Sequence, residues 1–203
     1  AVSLLRTTYL GTGQTDLVYG IQFDQKGFPY VMGTSTGNWP VQNAVYSVAN
    51  SRQFIAKLRP DLGAFIYSTT FGTPGAISPN ISPVAFLVDN CENVYVSGWG
   101  GAANNFGGGS SAYPTAGTTG LPITNDAFQR TTDGSDFYFF VLQKNAASQL
   151  YGSFFGQLGG PGGTEHVDGG TSRFDASGVI YQAICANCKN VGAVVPAQST
   201  YPI

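Results

Sequence analysis

Charge is scarce in this chain of 203 residues: 10% are Asp, Glu, Lys or Arg, and there is one histidine, His166, and one methionine. Nine basic residues, scattered singly under a net charge of -2, form no positive stripe to neutralise a run of phosphates, which argues against a nucleic-acid interface. No apolar run approaches the ~18 residues of a membrane-spanning helix, and no basic-then-apolar leader opens the chain. The chain begins at Ala1 and not at Met, as expected of a processed protein or a piece of a longer one. No window keeps a helical apolar period over three turns, which excludes a helical bundle. The lone His166 has no Gly-x-Ser-x-Gly partner motif to make a hydrolytic triad. The glycine-rich stretch at 100–120 lacks the Lys-Ser/Thr ending of a phosphate-binding loop.

Cysteine is scarce too. Cys91, Cys185 and Cys188 cannot all pair within one chain. The spacing Cys185-Ala-Asn-Cys188 suits a local disulfide, and free thiols or half of a zinc site remain the other readings; zinc would have to recruit Cys91 and His166.

What the chain has in quantity is glycine, 28 residues, and aromatics: fourteen Phe, eleven Tyr and two Trp. Short runs rich in Val, Ile, Tyr, Phe and Thr, bounded by Gly, Asn, Asp and Pro, read as many short strands. These runs repeat. FDQKGFPYVMG from Phe23, VDNCENVYVSG from Val88 and FDASGVIYQAI from Phe174 each place a Tyr six residues after an Asp: Asp24 and Tyr30, Asp89 and Tyr95, Asp175 and Tyr181. Around them FIAKL at 54–58 matches FFVLQK at 139–144, WPVQNAVY at 39–46 matches LPITNDAF at 121–128, and IYSTTFG at 66–72 matches LYGSFFG at 150–156, with LRTTYLG at 5–11 as an earlier copy. Copies therefore run at about 5–66, 67–150 and 151–203, with 100–120 as a loop insertion.

An Asp, a turn and Tyr-Val suits a hairpin whose carboxylate accepts backbone N–H bonds, with Gly27 and Gly178 at positive φ. The second copy has Glu92 in place of that glycine, and Asn93 is expected to carry its turn.

In this order the blocks resemble the bacterial SBBP beta-propeller repeat family, over roughly residues 5–190. TTYLGTGQTDLVYGIQFDQKGFPYVMGTSTGNWP followed by FIAKLRPDLGAFIYSTTFG carries the resemblance, and VDNCENVYVSGWGG with the segment from YGSFFG to ICANC is similar to the form in large exported surface proteins of Bacteroidota. The resemblance implies an all-β chain of about two and a half to three propeller blades, each a four-stranded antiparallel sheet. It further implies type IX secretion and a non-catalytic structural or adhesive role at the cell surface. Fewer than four blades cannot close a ring, so further repeats or other protein chains are expected as partners.

Candidate ligand residues are weighed against the repeat. In TEHVDGG, Glu165, His166 and Asp168 would suit a metal. Aligned with TDLVYG at 15–20, however, the acid recurs as Asp16 and His166 takes the place of Leu17, as at a strand position. Calcium is a second cofactor reading for Asp24, Asp89 and Asp175, although none has the Asp-x-Asp spacing that gathers six to eight oxygens, and turn capping is preferred. Trp99, Trp39, Tyr113 and Tyr30 are candidates for stacking on surface glycans, with Trp99 beside the long loop foremost. A lectin-like module, and behind it a propeller hydrolase, are the alternatives.

Overall fold

The computed structural model describes residues 3–100, 117–156, 165–166, 172–183 and 185–186, with 165–166 and 185–186 described in their backbone alone. The fold is all-β. The first sheet orders β1 (Asp16–Phe23), β2 (Pro29–Ser35), β3 (Gln53–Leu58) and β4 (Phe65–Phe71) side by side, each antiparallel to its neighbour. The second repeats the arrangement with β5 (Ser82–Val88), β6 (Val94–Trp99), β7 (Phe137–Leu142) and β8 (Gln149–Phe155). A third unit is a hairpin in two pieces: β9 (Glu165–His166) pairs with β12 (Cys185–Ala186), and β10 (Ser172–Phe174) with β11 (Ile180–Gln182). The one helical feature among the described residues is a 3-10 turn at Lys144–Ala146.

The sheets are copies in fine detail. β1 slips register between Val18 and Gly20, and β5 between Pro83 and Ala85, an equivalent bulge where a proline in an edge strand costs no ladder bond. β3 and β7 shift after Lys57 and after Val141. Tyr30 pairs with Lys57, and Tyr95 with Val141. These pairings set FIAKL against Tyr138–Leu142, one residue earlier than the match with FFVLQK. IYSTTFG and LYGSFFG fall in the same register, since Lys57 faces Tyr67 and Val141 faces Tyr151. The sequence copy and the sheet are offset by one strand: the strand that opens each sequence copy, as at 66–72, closes the preceding sheet.

Each hairpin turn is built by its aspartate. Asp24 Oδ1 accepts the N–H groups of Lys26 and Phe28, Asp89 Oδ1 those of Cys91 and Asn93, and Asp175 Oδ1 those of Ser177 and Val179. Gly27 and Gly178 take φ of 79° and 83°. In the second turn Glu92, not Asn93, occupies this left-handed position, at φ 67°. Asn93 instead donates its side-chain amide to Asp89 Oδ2 and accepts the N–H of Lys144.

The sheets stack face against face. Each has a front, toward the sheet before it, and a back. Tyr30, Met32, Ile55, Tyr67 and Phe71 on the back of the first are buried in one core with Val94, Val96, Phe140 and Leu142 on the front of the second. Phe71 and Phe140 stack across this interface, centroids 4.5 Å apart and 10° from parallel. The first strands follow one another: β5 lies against both β1 and β10. Gln22 on β1 joins them by donating to Phe86 O (2.8 Å) and accepting from Val88 N (2.9 Å), filling the hydrogen-bonding edge of β5. The hairpin of β10 and β11 meets the back of the second sheet, with the rings of Tyr95 and Phe174 5.7 Å apart and Ser97 Oγ donating to Gln182 Oε1.

Candidate functional site

Two places concentrate unusual chemistry, and they occupy equivalent positions in successive interfaces. In the first interface Lys57, with its side chain 6% exposed, reaches Asp24 Oδ2 at 2.9 Å and, across the gap between sheets, Glu92 Oε2 at 2.7 Å. Its ammonium lies 4.8 Å from the Phe28 ring centroid and 4.9 Å from that of Tyr30. Glu92 Oε1 also pairs with Lys144 at 2.8 Å and Lys26 at 3.5 Å, and Oε2 accepts the Tyr30 hydroxyl at 3.3 Å. The left-handed backbone at Glu92 aims this carboxylate back into the interface.

Hydrogen bonds from Lys144 and Lys57 hold the Glu92 carboxyl down at about 2, against the opposing effect of burial. Burial alone would raise Asp24, but Lys57 and the N–H groups of Phe28 and Lys26 outweigh it and carry the net shift downward. Burial, then the negative charge of Glu92, push the Tyr30 phenol up. All three titrate far from neutrality. The cluster is a charge clamp and not a poised general acid and base.

Asp136 is the carboxyl shifted the other way, raised chiefly by burial. It has no solvent exposure, and Gly156 is packed so closely upon it that an added Cβ would sit 2.0 Å from Oδ1. No substrate reaches such a group.

In the second interface Val141 replaces Lys57 and Gly178 replaces Glu92. Where the first interface has a charged contact, the second has an apolar cavity of about 540 Å³. Tyr95, Phe139, Val141, Leu150 and Tyr151 line its wall on the second sheet, with Phe174 and Ile180 of the third hairpin opposite. Gly178 is required by proximity as well as by φ, because a Cβ there would lie 2.8 Å from the Tyr95 ring.

Sequence reasoning singled out other residues. Trp39 is 6% exposed, stacked on Phe54 with centroids 3.5 Å apart, and donates Nε1–H to Ser68 Oγ; its ring offers no open face to a sugar. Tyr30 is 1% exposed, which likewise takes it out of the glycan candidates. Trp99 is half-buried at the end of β6, and its ring centroid lies 6.4 Å from that of Phe137. Its Nε1 is buried without a partner among the described residues. Of the carboxylates weighed for calcium, Oδ1 of each caps its turn, while Oδ2 of Asp89 and Asp175 accepts the hydroxyl of Tyr95 and Tyr181 and Oδ2 of Asp24 meets Lys57.

Glu165 and His166 form β9. Glu165 pairs with Ala186 as Asp16 pairs with Ser35, and His166 with Cys185 as Leu17 with Thr34, the register in which TEHVDGG and TDLVYG align. Their side chains, and those of Asp168, Cys185 and Cys188, lie outside the described residues, as does Tyr113. Cys91 is an exposed free thiol. Among the described residues no three His, Cys, Asp or Glu gather as a metal site, and no helix is long and apolar enough to cross a membrane.

The Lys57–Glu92 clamp was missed from the sequence. Its only signal was an acidic residue where the other two copies have glycine. The chain matches no protein-family model, no curated protein and no solved structure.

Proposed function

We propose that this chain is a non-catalytic structural or adhesive module of an exported cell-surface assembly, its sheets serving as successive blades of a propeller-type array. One observation carries the reading: the same Asp-turn-Tyr hairpin recurs three times, and the second and third copies are each placed against the sheet before them. Repetition of this kind distributes acids to serve turns and interfaces, whereas an enzyme concentrates them at one centre. A stack of sheets is rigid, and the loops between strands are then the variable surface that meets partners.

Uncovered apolar surface at the start of the stack supports assembly with further repeats or other chains. On β1, Ile21 and Phe23 are 61% and 63% exposed, whereas their equivalents Phe86 and Val88 pack against the core between the sheets. Residues 5–11 carry a fourth-strand sequence yet pair with no strand, and Leu5 and Tyr9 stand exposed. Gly11 leads from this segment toward β1 with φ 154°, much as Gly72 leads from β4 toward β5 with φ 133°.

Antibody labelling of intact source cells tests the reading. Labelling without permeabilisation is expected, and labelling that needs permeabilisation would overturn it.

A further inference from the structure

The geometry points to the apolar cavity on the back of the second sheet as a strand-docking site for a further copy of the repeat. The occupant is a third-and-fourth-strand pair that hydrogen-bonds to β11 and completes the sheet begun by β10 and β11. This inference rests on the reading of the chain as a repeat array and adds the site, the register and the sequence chemistry of what fills it.

The argument starts from residues that are equivalent in the two sheets. Ile55 and Tyr67, on the back of the first sheet, are 0% and 1% exposed because the second sheet covers them. Their equivalents Phe139 and Tyr151 are half-buried, Val141 is half-buried where Lys57 is buried, and Leu150 is 43% exposed. Among the described residues the third hairpin meets this back face along β6, through Phe174 and Ile180 beside Tyr95 and through Gln182 at Ser97. In the first interface the third strand, β7, contributes to the core that buries Ile55 and Tyr67: its Phe140 stacks on Phe71, and Phe140 and Leu142 belong to the same buried cluster. The cavity therefore marks the place of a β7-type strand in the next sheet.

That strand pairs antiparallel with β11, as β3 pairs with β2 and β7 with β6. It carries apolar side chains two residues apart on its front, like Phe54, Ala56 and Leu58 or Tyr138, Phe140 and Leu142. In both complete sheets the third and fourth strands span the same length of chain, from Gln53 to Phe71 and from Phe137 to Phe155.

The test uses the whole 203-residue protein and a fluorescein-labelled synthetic peptide with the sequence from Gln53 to Phe71, followed by anisotropy and by amide hydrogen exchange. Saturable binding is expected, with slowed exchange at Ile180–Gln182. The same peptide with Leu58→Asp, which puts a charge on the front face, is expected to bind at least about tenfold more weakly, the effect of roughly 1.4 kcal/mol. Equal binding by a scrambled peptide, or no protection at β11, would overturn the inference. So would self-association of the protein through this face that the peptide cannot displace, since the occupant would then be a second copy of the chain. None of these outcomes bears on surface labelling, so the two readings fail separately.

Discussion

Lys57 Nζ and Glu92 Oε2 meet at 2.7 Å across the gap between two sheets, and the backbone of Glu92 is left-handed, φ 67°, to make the contact. A non-glycine residue in that region costs of order 1 kcal/mol, so the ion pair and its Lys144 and Tyr30 partners have to outweigh local strain. Val141 and Gly178 at the equivalent positions form the alternative solution, with neither charge nor strain.

Replacing Glu92 by Gln leaves Lys57 buried with Asp24 as its only carboxylate, and the protein is expected to lose about 2–3 kcal/mol in urea denaturation. Lys57→Val has the same sign. The double variant Lys57→Val, Glu92→Gly imports the pair found in the second interface, removing the two charges that meet across the gap and the strained backbone, and leaves Asp24 held by the N–H groups of Lys26 and Phe28. Its loss is expected to be smaller than the sum of the losses of the Lys57→Val and Glu92→Gly single variants, and a double-mutant cycle built from these that shows simple additivity would refute the coupling.

The same pair sets a pH dependence. Glu92 has an ordinary value of 4.5 and is held at about 2 in the folded protein, and Asp24 shifts in the same direction. A depressed carboxyl contributes stability that is complete above the unfolded value and is lost as pH falls through the folded one. The contribution of these two carboxyls is therefore expected to be flat from neutrality to about pH 5 and then to fall by on the order of 2 kcal/mol toward pH 2, after allowance for solvent screening. The Glu92→Gln variant should show a shallower fall, read by urea midpoints at each pH.

The all-β class, the three hairpins and the capping aspartates were legible because each is a local pattern repeated at fixed spacing. Register in β7 was not. FYFFVL is aromatic on both faces, so its pattern has no phase, and the one-residue offset shows only in the pairing of Tyr95 with Val141 where Tyr30 pairs with Lys57. The clamp was hidden for another reason: Glu92 meets Lys57 and Tyr30 over separations of 35 and 62 residues. Trp39 looked like a stacking surface because nothing nearby in sequence shows that Phe54, from another strand, covers its ring.

The glycine three residues after the hairpin tyrosine is a matter of space. A Cβ on Gly33 would lie 2.1 Å from Leu17 O and 2.6 Å from the Phe54 ring, and on Gly98 2.6 Å from Ser82 O. Backbone carbonyls cannot swing aside as side chains do. Gly33→Ala is expected to cost about 3 kcal/mol and to lower the melting temperature by about 6–12 °C. Gly27→Ala, at a turn where no atom lies within 4 Å of the added methyl, loses only the backbone term of about 1 kcal/mol. Equal melting temperatures for the two variants would contradict this account.

Gln22 tests how the sheets are held in line at their first strands. Its amide mimics a strand, donating to Phe86 O and accepting from Val88 N, so the edge of β5 facing β1 is satisfied without a β-ladder between them. Gln22→Leu preserves bulk and places here the residue type that stands at the equivalent Leu87 in β5. It leaves a part-buried N–H and C=O unpaired, at about 1–3 kcal/mol. The specific readout is exchange of the Val88 amide, expected to quicken by about tenfold or more while the Val96 amide inside the second sheet keeps its rate. Uniform acceleration of both would mean that the variant unfolds the array globally and that Gln22 does not act on the β1–β5 seam in particular. Val88 acceleration alone would show that neighbouring sheets can separate locally at their first strands.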